Sequence, residues 1–172
     1  QLQQFITRTA AITGPDGVKR DTEACIRNGE VGSFQSLRKT EEMLRLQKIA
    51  VEESRLGIPL IFGYDIIHGC RITFPENLAM SCSWNLDAIE RSARVAAEES
   101  AATAIHWTFS PMCDISADPR WGRVSEGAGE DPYLGKMIAA AMVRGYQGDD
   151  LSSDKTIAAC VKHFAAYGAP QA

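Results

Sequence analysis

Two apolar segments of the sequence each end in ionisable side chains followed by glycine. One segment, Val161–Gly168, carries Lys162 and His163, and the other, Phe62–Gly69, carries Asp65. An apolar run that ends in ionisable residues is typical of a buried strand whose end contributes side chains to a site. The two runs together predict one site that several strands of an α/β protein build.

Asp65 follows directly on the earlier of these two strand-like runs. A carboxylate at a strand end can accept hydrogen bonds from two adjacent hydroxyl groups, as is needed to hold a sugar ring. The same residue could instead cap a nearby backbone or pair with an arginine, and its position alone does not decide between these roles. His68, in the loop after this run, is expected to brace Asp65.

The segment Asp118–Arg123 places two guanidinium groups, an indole and a tight turn within six residues. Arginine supplies planar hydrogen-bond donors and tryptophan a flat apolar surface, so the segment suits a polyhydroxylated ligand with one apolar face. Alternatively, an arginine locks the loop by pairing with Glu126, Glu130 or Asp131. Both roles can hold at once, and we favour Arg123 as the ligand residue.

Lys162 and His163 are neighbours, and successive residues of a strand point to opposite faces. Both can reach one ligand only if the strand bends, bulges or ends there, so we predict that alternation breaks near Lys162–Phe164, with a strained peptide as one way to do so. The alternative places Lys162 inward and His163 outward as a core histidine.

The sequence carries no pattern of metal ligands or of a bound cofactor. Its three histidines, His68, His106 and His163, have no H-E-x-x-H spacing, and the five cysteines form no C-x-x-C pair. We interpret the cysteines as small buried apolar residues. No G-x-S-x-G motif and no phosphate-binding loop is present, so we predict neither a metal nor a cofactor.

Charge and hydropathy argue against two classes of partner. Eighteen Lys and Arg residues are outnumbered by 22 Asp and Glu residues, for a net charge of −4, and the basic residues are scattered. This balance argues against nucleic-acid binding, and no apolar window is long enough for a membrane helix. The first residues, Gln1 to Gln4, contain neither an initiator Met nor a basic leader, so we expect a processed or trimmed chain.

Strand-like and helix-like segments alternate along the chain. Thr40 is expected to cap the first helix, Asn85 the second and Asp131 the third, whose first residue would be Pro132. The predicted strands cover Val31–Gln35, Ile58–Tyr64 (nearly all apolar, and so expected to be buried on both faces), Trp107–Cys113 and Thr156–Phe164, and the predicted helices cover 40–54, 86–104 and 132–148.

This alternation predicts a parallel α/β fold, either a doubly wound sheet or a (β/α)8 barrel. In both architectures ligands bind at the carboxyl ends of the strands. A complete barrel needs about 250 residues. If the fold is a barrel, the four βα units expected in these 172 residues would form roughly half of a (β/α)8 TIM-type barrel.

Five segments in order resemble one known family. They are Gly63–Gly69, Phe74-Pro75, Asp118–Glu126, Glu130–Pro132 and Lys162–Phe164. Together they are similar to family 3 glycoside hydrolases, and most of all to the bacterial periplasmic β-glucosidases. The resemblance runs along nearly the whole chain, which is why it is far more specific than any one motif.

The resemblance implies a retaining glycosidase that is periplasmic or secreted. In that family an Asp nucleophile forms a glycosyl-enzyme and a second carboxylate acts as acid and base. The matching positions imply that Asp65, Arg123, Lys162 and His163 bind the sugar of the −1 subsite. Residues 1–172 would be a partial amino-terminal barrel domain, truncated before the nucleophile strand.

The family's nucleophile lies in a Ser-Asp-Trp type motif downstream of Lys-His-Phe, and this sequence has no such motif. Both catalytic carboxylates are therefore expected beyond Ala172, and we expect the segment to be inactive alone. Asp114 and Asp118 are the best local substitutes, and we favour neither.

The leading hypothesis is thus part of an enzyme that hydrolyses terminal β-D-glucosyl residues of β-glucosides or related oligosaccharides. One alternative is a lyase that forms a Schiff base on Lys162. The other is a non-catalytic sugar-binding or scaffold segment, whose open sheet edges would favour self-association.

Overall fold

In the computed structural model, residues 3–6, 21–164 and 167–168 are described, with side chains from residue 21 onward. The expected truncation after Ala172 falls outside these residues. The chain divides into two compact units, Gln1–Tyr64 and Asp65–Ala172.

The first unit is built on parallel strands. β1 (Gln3–Ile6) pairs with β2 (Val31–Gln35), which pairs with β3 (Ile61–Tyr64), and both pairs are parallel. Two helices are described in the connecting segments, α1 (Thr22–Arg27) before β2 and α2 (Thr40–Glu52) before β3. The strand predicted at Val31–Gln35 is confirmed, and so is the α/β class with parallel strands.

Helix α2 buries the face that its periodicity predicts, with Met43, Leu46, Ile49 and Ala50 all 5 % exposed or less. The predicted cap is wrong, because Thr40 is already helical and the extended residue before it, Lys39, makes no side-chain cap bond. The positive end of the helix carries acidic residues in its first turn instead.

Strand β3 starts three residues later than predicted. The Leu60 backbone N–H donates to Gln47 Oε1 at 2.6 Å, and the Leu60 carbonyl accepts from Gln47 Nε2 at 3.0 Å. A side chain thus takes the place of a neighbouring strand at Leu60. Burial of this run on both faces is also wrong, because Ile58 and Ile61 are 47 % and 46 % exposed.

The described part of the second unit contains three further α-helices, α3 (Asn77–Ser81), α4 (Leu86–Ala101) and α5 (Pro132–Gln147). Two predicted caps are confirmed. Asn85 accepts from the Ala88 N–H at 3.0 Å, and Asp131 accepts from the N–H groups of the first turn of α5. Helix α4 ends earlier than predicted, and Ala104 has a φ of 67°.

Helices α4 and α5 pack closely because their facing residues are small. A Cβ atom added at Gly145 of α5 would lie 2.5 Å from both the Ala93 Cβ and the Glu90 carbonyl oxygen of α4. The small inner face of α4 therefore serves a close contact with α5.

The two strands predicted in this unit are fragmentary. Only β4 (Trp107–Thr108) is a regular strand, and isolated parallel bridges join Trp107 to Ala158 and Met112 to Lys162. Between the bridges lies Pro111, which has no N–H to donate and follows a cis peptide bond. The two segments still run alongside each other, because the Cys160 N–H donates to the Ser110 carbonyl at 2.9 Å. A short 3₁₀-helix, Val124–Glu126, follows the loop at residues 114–123.

Candidate functional site

The four predicted site residues lie in the second unit and form one cluster. Lys162 Nζ is 3.1 Å from Asp65 Oδ1, and His163 Nε2 is 3.3 Å from Arg123 Nη1. Because Lys162 and His163 are adjacent, the two contacts join all four residues. Residues spread over 99 positions of the sequence, from 65 to 163, thus meet at one place.

The Asp65–Lys162 pair is partly open to solvent. The Asp65 side chain is 41 % exposed, while that of Lys162 is 12 % exposed. The described contacts engage only the Oδ1 atom of Asp65. Its other oxygen can therefore accept hydrogen bonds from a ligand, beside an ammonium group that donates.

Arg123 is held by a two-point ion pair. Its Nε and Nη2 atoms each donate to one carboxylate oxygen of Glu126 at 2.6 Å. This hydrogen bonding raises the pKa of Arg123 and lowers the pKa of Glu126 from its usual value of 4.5. The loop-lock interpretation is confirmed, because Arg123 pairs with Glu126. Its Nη1 faces His163, and its role as a ligand residue stays a prediction.

His163 lies between a carboxylate and a guanidinium. Its Nδ1 is 2.9 Å from Asp114 Oδ2, and its backbone N–H donates to the same oxygen at 3.1 Å. Since a guanidinium only donates, Nε2 must accept from Arg123, and the ring proton lies on Nδ1 and is donated to Asp114. These contacts give His163 a fixed tautomer and orientation.

Both Lys162 and His163 direct their side chains into the cluster. The peptide bond between them is cis, and Lys162 pairs with Met112 in an isolated parallel bridge. The predicted break in alternation therefore occurs at this dipeptide. The alternative of a core His163 is not observed, because its side chain is 30 % exposed and paired on both nitrogens.

Tyr167 completes one side of the cluster, and sequence reasoning did not single it out. Its ring centroid lies 4.5 Å from that of His163 and 5.5 Å from that of Trp121, and the Arg123 guanidinium lies 5.5 Å from its ring. Its position five residues after Lys162, shortly after the predicted strand Thr156–Phe164, was the one available signal. Trp121 is only 9 % exposed and packs under Tyr167, so the expected open indole surface is not formed.

Arg120, the other arginine of the loop, pairs with Asp118 at 2.6 Å, where its hydrogen bonds lower the pKa of Asp118, so this pair is a surface contact of the loop. One further expectation is corrected. His68 does not brace Asp65, because its Nδ1 lies 2.9 Å from the Phe74 carbonyl oxygen and thereby closes its own loop.

A cavity of about 400 Å³ opens beside the cluster. Its lining includes Asp65, Arg123 and Glu126 together with His68 and Asn77. Such a polar lining of carboxylates and donors fits a ligand with many hydroxyl groups. Within the described residues no group of three or more His, Cys, Asp or Glu side chains could hold a metal ion, and none of the helices is long and apolar enough to span a bilayer.

Residues 4–172 match the sequence profile described as "Glycosyl hydrolase family 3 N terminal domain". A periplasmic β-glucosidase of Salmonella typhimurium is 42 % identical over 156 residues, which cover 91 % of this chain and 20 % of that protein. A lysosomal β-glucosidase of Dictyostelium discoideum is 36 % identical over 135 residues, or 73 % of this chain and 16 % of that protein. The chain thus spans about a fifth of the length of these relatives.

A solved structure of similar shape is that of a β-glucosidase from Listeria innocua in complex with isofagomine. It superposes with a TM-score of 0.84 at 42 % identity and covers 96 % of this chain and 23 % of that one. A second structure of the Listeria innocua enzyme, in complex with glucose, superposes with a TM-score of 0.78 at 46 % identity over 81 % of this chain and 20 % of that one.

Proposed function

Because this chain belongs to glycosyl hydrolase family 3, we propose that it supplies the sugar-binding half of the −1 subsite in a retaining β-glucosidase. The observation that carries the proposal is the cluster in which Asp65 meets Lys162 at 3.1 Å and Arg123 meets His163 at 3.3 Å beside an open polar cavity. The glucose complex of a related β-glucosidase supports the class of ligand.

Asp65 accepts hydrogen bonds from two adjacent ring hydroxyls through its free oxygen, while Lys162 and Arg123 donate to neighbouring hydroxyl oxygens. His163, fixed between Asp114 and Arg123, sets the direction of these donors. A ring bound at several hydroxyls has its anomeric carbon fixed in space. Contacts that strengthen as the ring distorts towards the transition state then lower the barrier to hydrolysis.

The two reacting carboxylates of a retaining glycosidase are expected outside this segment, in sequence that follows Ala172. The pairing of the local carboxylates supports this. Glu126 accepts two hydrogen bonds from Arg123, and Asp114 accepts two from His163. An oxygen bound in this way is a poor nucleophile. We therefore propose that residues 1–172 alone do not hydrolyse β-glucosides.

The proposal also includes the arrangement of the βα units as part of a barrel. Parallel pairing in the first unit and parallel bridges in the second are consistent with βα units that form about half of a (β/α)8 barrel, within an amino-terminal domain over 1–172. Open edges of such a half-barrel would let isolated segments associate with each other. The periplasmic β-glucosidase relative supports a periplasmic or secreted location.

Hydrolysis of an aryl β-glucoside tests the proposal. We expect the full-length protein to hydrolyse it, the 172-residue segment to be inactive, and Asp65→Ala in the full-length protein to lower kcat/KM well over tenfold. Asp154→Ala, on an exposed loop, is the matched control. Robust hydrolysis by the segment would reject the claim that the catalytic carboxylates lie outside it. Near-normal kcat/KM in Asp65→Ala would reject the sugar-binding role of Asp65.

A further inference from the structure

Three buried hydroxyl groups surround the backbone of the residue after Asp65. Thr108 and Ser110 are fully buried and Tyr146 is 1 % exposed. The Ile66 N–H donates to Thr108 Oγ1 at 3.1 Å, and the Tyr146 hydroxyl donates to the Ile66 carbonyl at 2.7 Å. Both polar groups of one loop residue are therefore held by side chains rather than by a sheet.

Ser110 completes this arrangement. Its Oγ lies 3.2 Å from the Tyr146 hydroxyl oxygen. Since a phenol has one proton, and the shorter contact to the Ile66 carbonyl uses it, the Ser110 hydroxyl donates to Tyr146. Burial raises the pKa of Tyr146 to about 12, so the phenol is a donor throughout the neutral range.

The position of Asp65 depends on this backbone. The Ile66 N–H belongs to the peptide group that directly follows the Asp65 Cα, so the bond to Thr108 fixes that peptide plane. The Asp65 side chain itself is 41 % exposed, and its one described contact is the bond to Lys162. The buried hydroxyls therefore supply rigidity that the exposed carboxylate lacks.

We propose that Tyr146 and Thr108 are positioning residues for the sugar-binding carboxylate of Asp65, through the two hydrogen bonds that they make to Ile66. The inference concerns the same site and rests on the proposed function. Neither side chain touches the ligand. They act by holding the Asp65 carboxylate where it meets both Lys162 and the sugar.

A double-mutant cycle in the full-length protein tests this role. Tyr146→Phe removes the hydroxyl and keeps the ring, and we expect it to lower kcat/KM for an aryl β-glucoside about tenfold, because small misplacements of a binding group are costly. In the Asp65→Ala background the same change should have little further effect, since the carboxylate it positions is gone. Tyr133→Phe, with a side chain 72 % exposed, is the control.

A purely structural Tyr146 would give the opposite pattern. Equal losses of kcat/KM in both backgrounds, after correction for the folded fraction, would overturn the proposal. A conservative pair checks Thr108 in the same way. Thr108→Ser keeps the acceptor oxygen and should retain activity, while the similarly shaped Thr108→Val should lower kcat/KM about tenfold. Equal activity of the two Thr108 variants would show that Thr108 is not a positioning residue.

Crystal structures separate this inference from the proposed function. In Tyr146→Phe we expect the Asp65 carboxylate to move beyond about 4 Å from Lys162 Nζ, the range of an ion pair. An unchanged Asp65–Lys162 contact would overturn the positioning role, whether or not the protein hydrolyses glucosides. A protein in which Asp65 moves but no β-glucoside is cleaved would contradict the proposed function alone.

Discussion

Removal of the Asp114 carboxylate is expected to lower the free energy of unfolding, because two hydrogen-bond donors of His163 lose their acceptor. The Asp114 side chain is 3 % exposed and accepts both the backbone N–H and the Nδ1–H of His163. In Asp114→Ala both donors lose an acceptor that is almost fully buried. The imidazole cannot relieve this by moving its proton to Nε2, because Nε2 would then face the Arg123 N–H.

The magnitude follows from the two lost bonds. An unsatisfied buried donor costs about 1–3 kcal/mol, so two fully unsatisfied donors would cost about 2–6 kcal/mol. Because the His163 side chain is 30 % exposed and water can satisfy part of the loss, we expect the free energy of unfolding to fall by about 2–4 kcal/mol. With a urea m-value of about 2–3 kcal/mol/M, the midpoint should fall by about 1 M. Asp114→Asn keeps one acceptor oxygen and the side-chain shape, so we expect a smaller shift.

Urea unfolding followed by fluorescence measures this difference. The matched control is Asp154→Ala, which removes an exposed carboxylate and should leave the midpoint within experimental error. The same midpoint for Asp114→Ala and Asp154→Ala would refute the reasoning. It would mean that His163 does not depend on Asp114 for its buried hydrogen bonds.

Two further predictions concern acid stability and helix packing. Because its arginine partner lowers the pKa of Glu126, this residue stabilises the folded state fully above its usual pKa of 4.5, and that contribution is lost as pH falls through the lowered value. The free energy of unfolding of Glu126→Gln should therefore fall less than that of wild type between about pH 6 and about pH 3. The exposed Glu98→Gln is the control. Parallel curves of stability against pH for wild type and Glu126→Gln would contradict the pairing. Gly145→Ala would place its Cβ 2.5 Å from that of Ala93 and should lower the free energy of unfolding by about 1–3 kcal/mol. The control is Gly122→Ala, whose Cβ would meet no atom within 4 Å. Equal urea midpoints for the two variants would argue against the close helix contact.

Local signals predicted the helices of this chain best. Asn85 and Asp131 cap their helices with the side-chain bonds that their sequence positions suggest. Thr40 does not, because the residue before it already occupies the extended cap position. Whether a residue caps a helix depends on the next few residues, so the sequence predicts most caps. Which residue occupies the cap position depends also on the local backbone angles, which the sequence does not show.

Strand lengths were harder to predict because they depend on partners that are distant in sequence. The apolar run before Tyr64 is shortened where Gln47 bonds both polar groups of Leu60. The run after Trp107 is a regular strand only to Thr108, and an isolated bridge joins it again at Met112. Apolar composition indicates that a segment is extended, but not which of its peptide groups find a neighbouring strand.

The residues of the site also divide into those that the sequence predicted and those that depend on partners distant in sequence. The resemblance selected Asp65, Arg123, Lys162 and His163, which lie together. It did not select the side chains that hold them, because the bonds from His163 to Asp114 and from Tyr146 to Ile66 span 49 and 80 residues. Such pairings are set by tertiary packing and have no local sequence pattern.

The most direct test is a crystal structure of the full-length protein with β-D-glucose. We predict that the sugar occupies the cavity beside the cluster, with two adjacent hydroxyls within about 3 Å of the Asp65 carboxylate and others near Lys162, Arg123 and His163. Glucose bound elsewhere, with no hydroxyl in contact with Asp65, would contradict the proposal that this segment holds the −1 sugar.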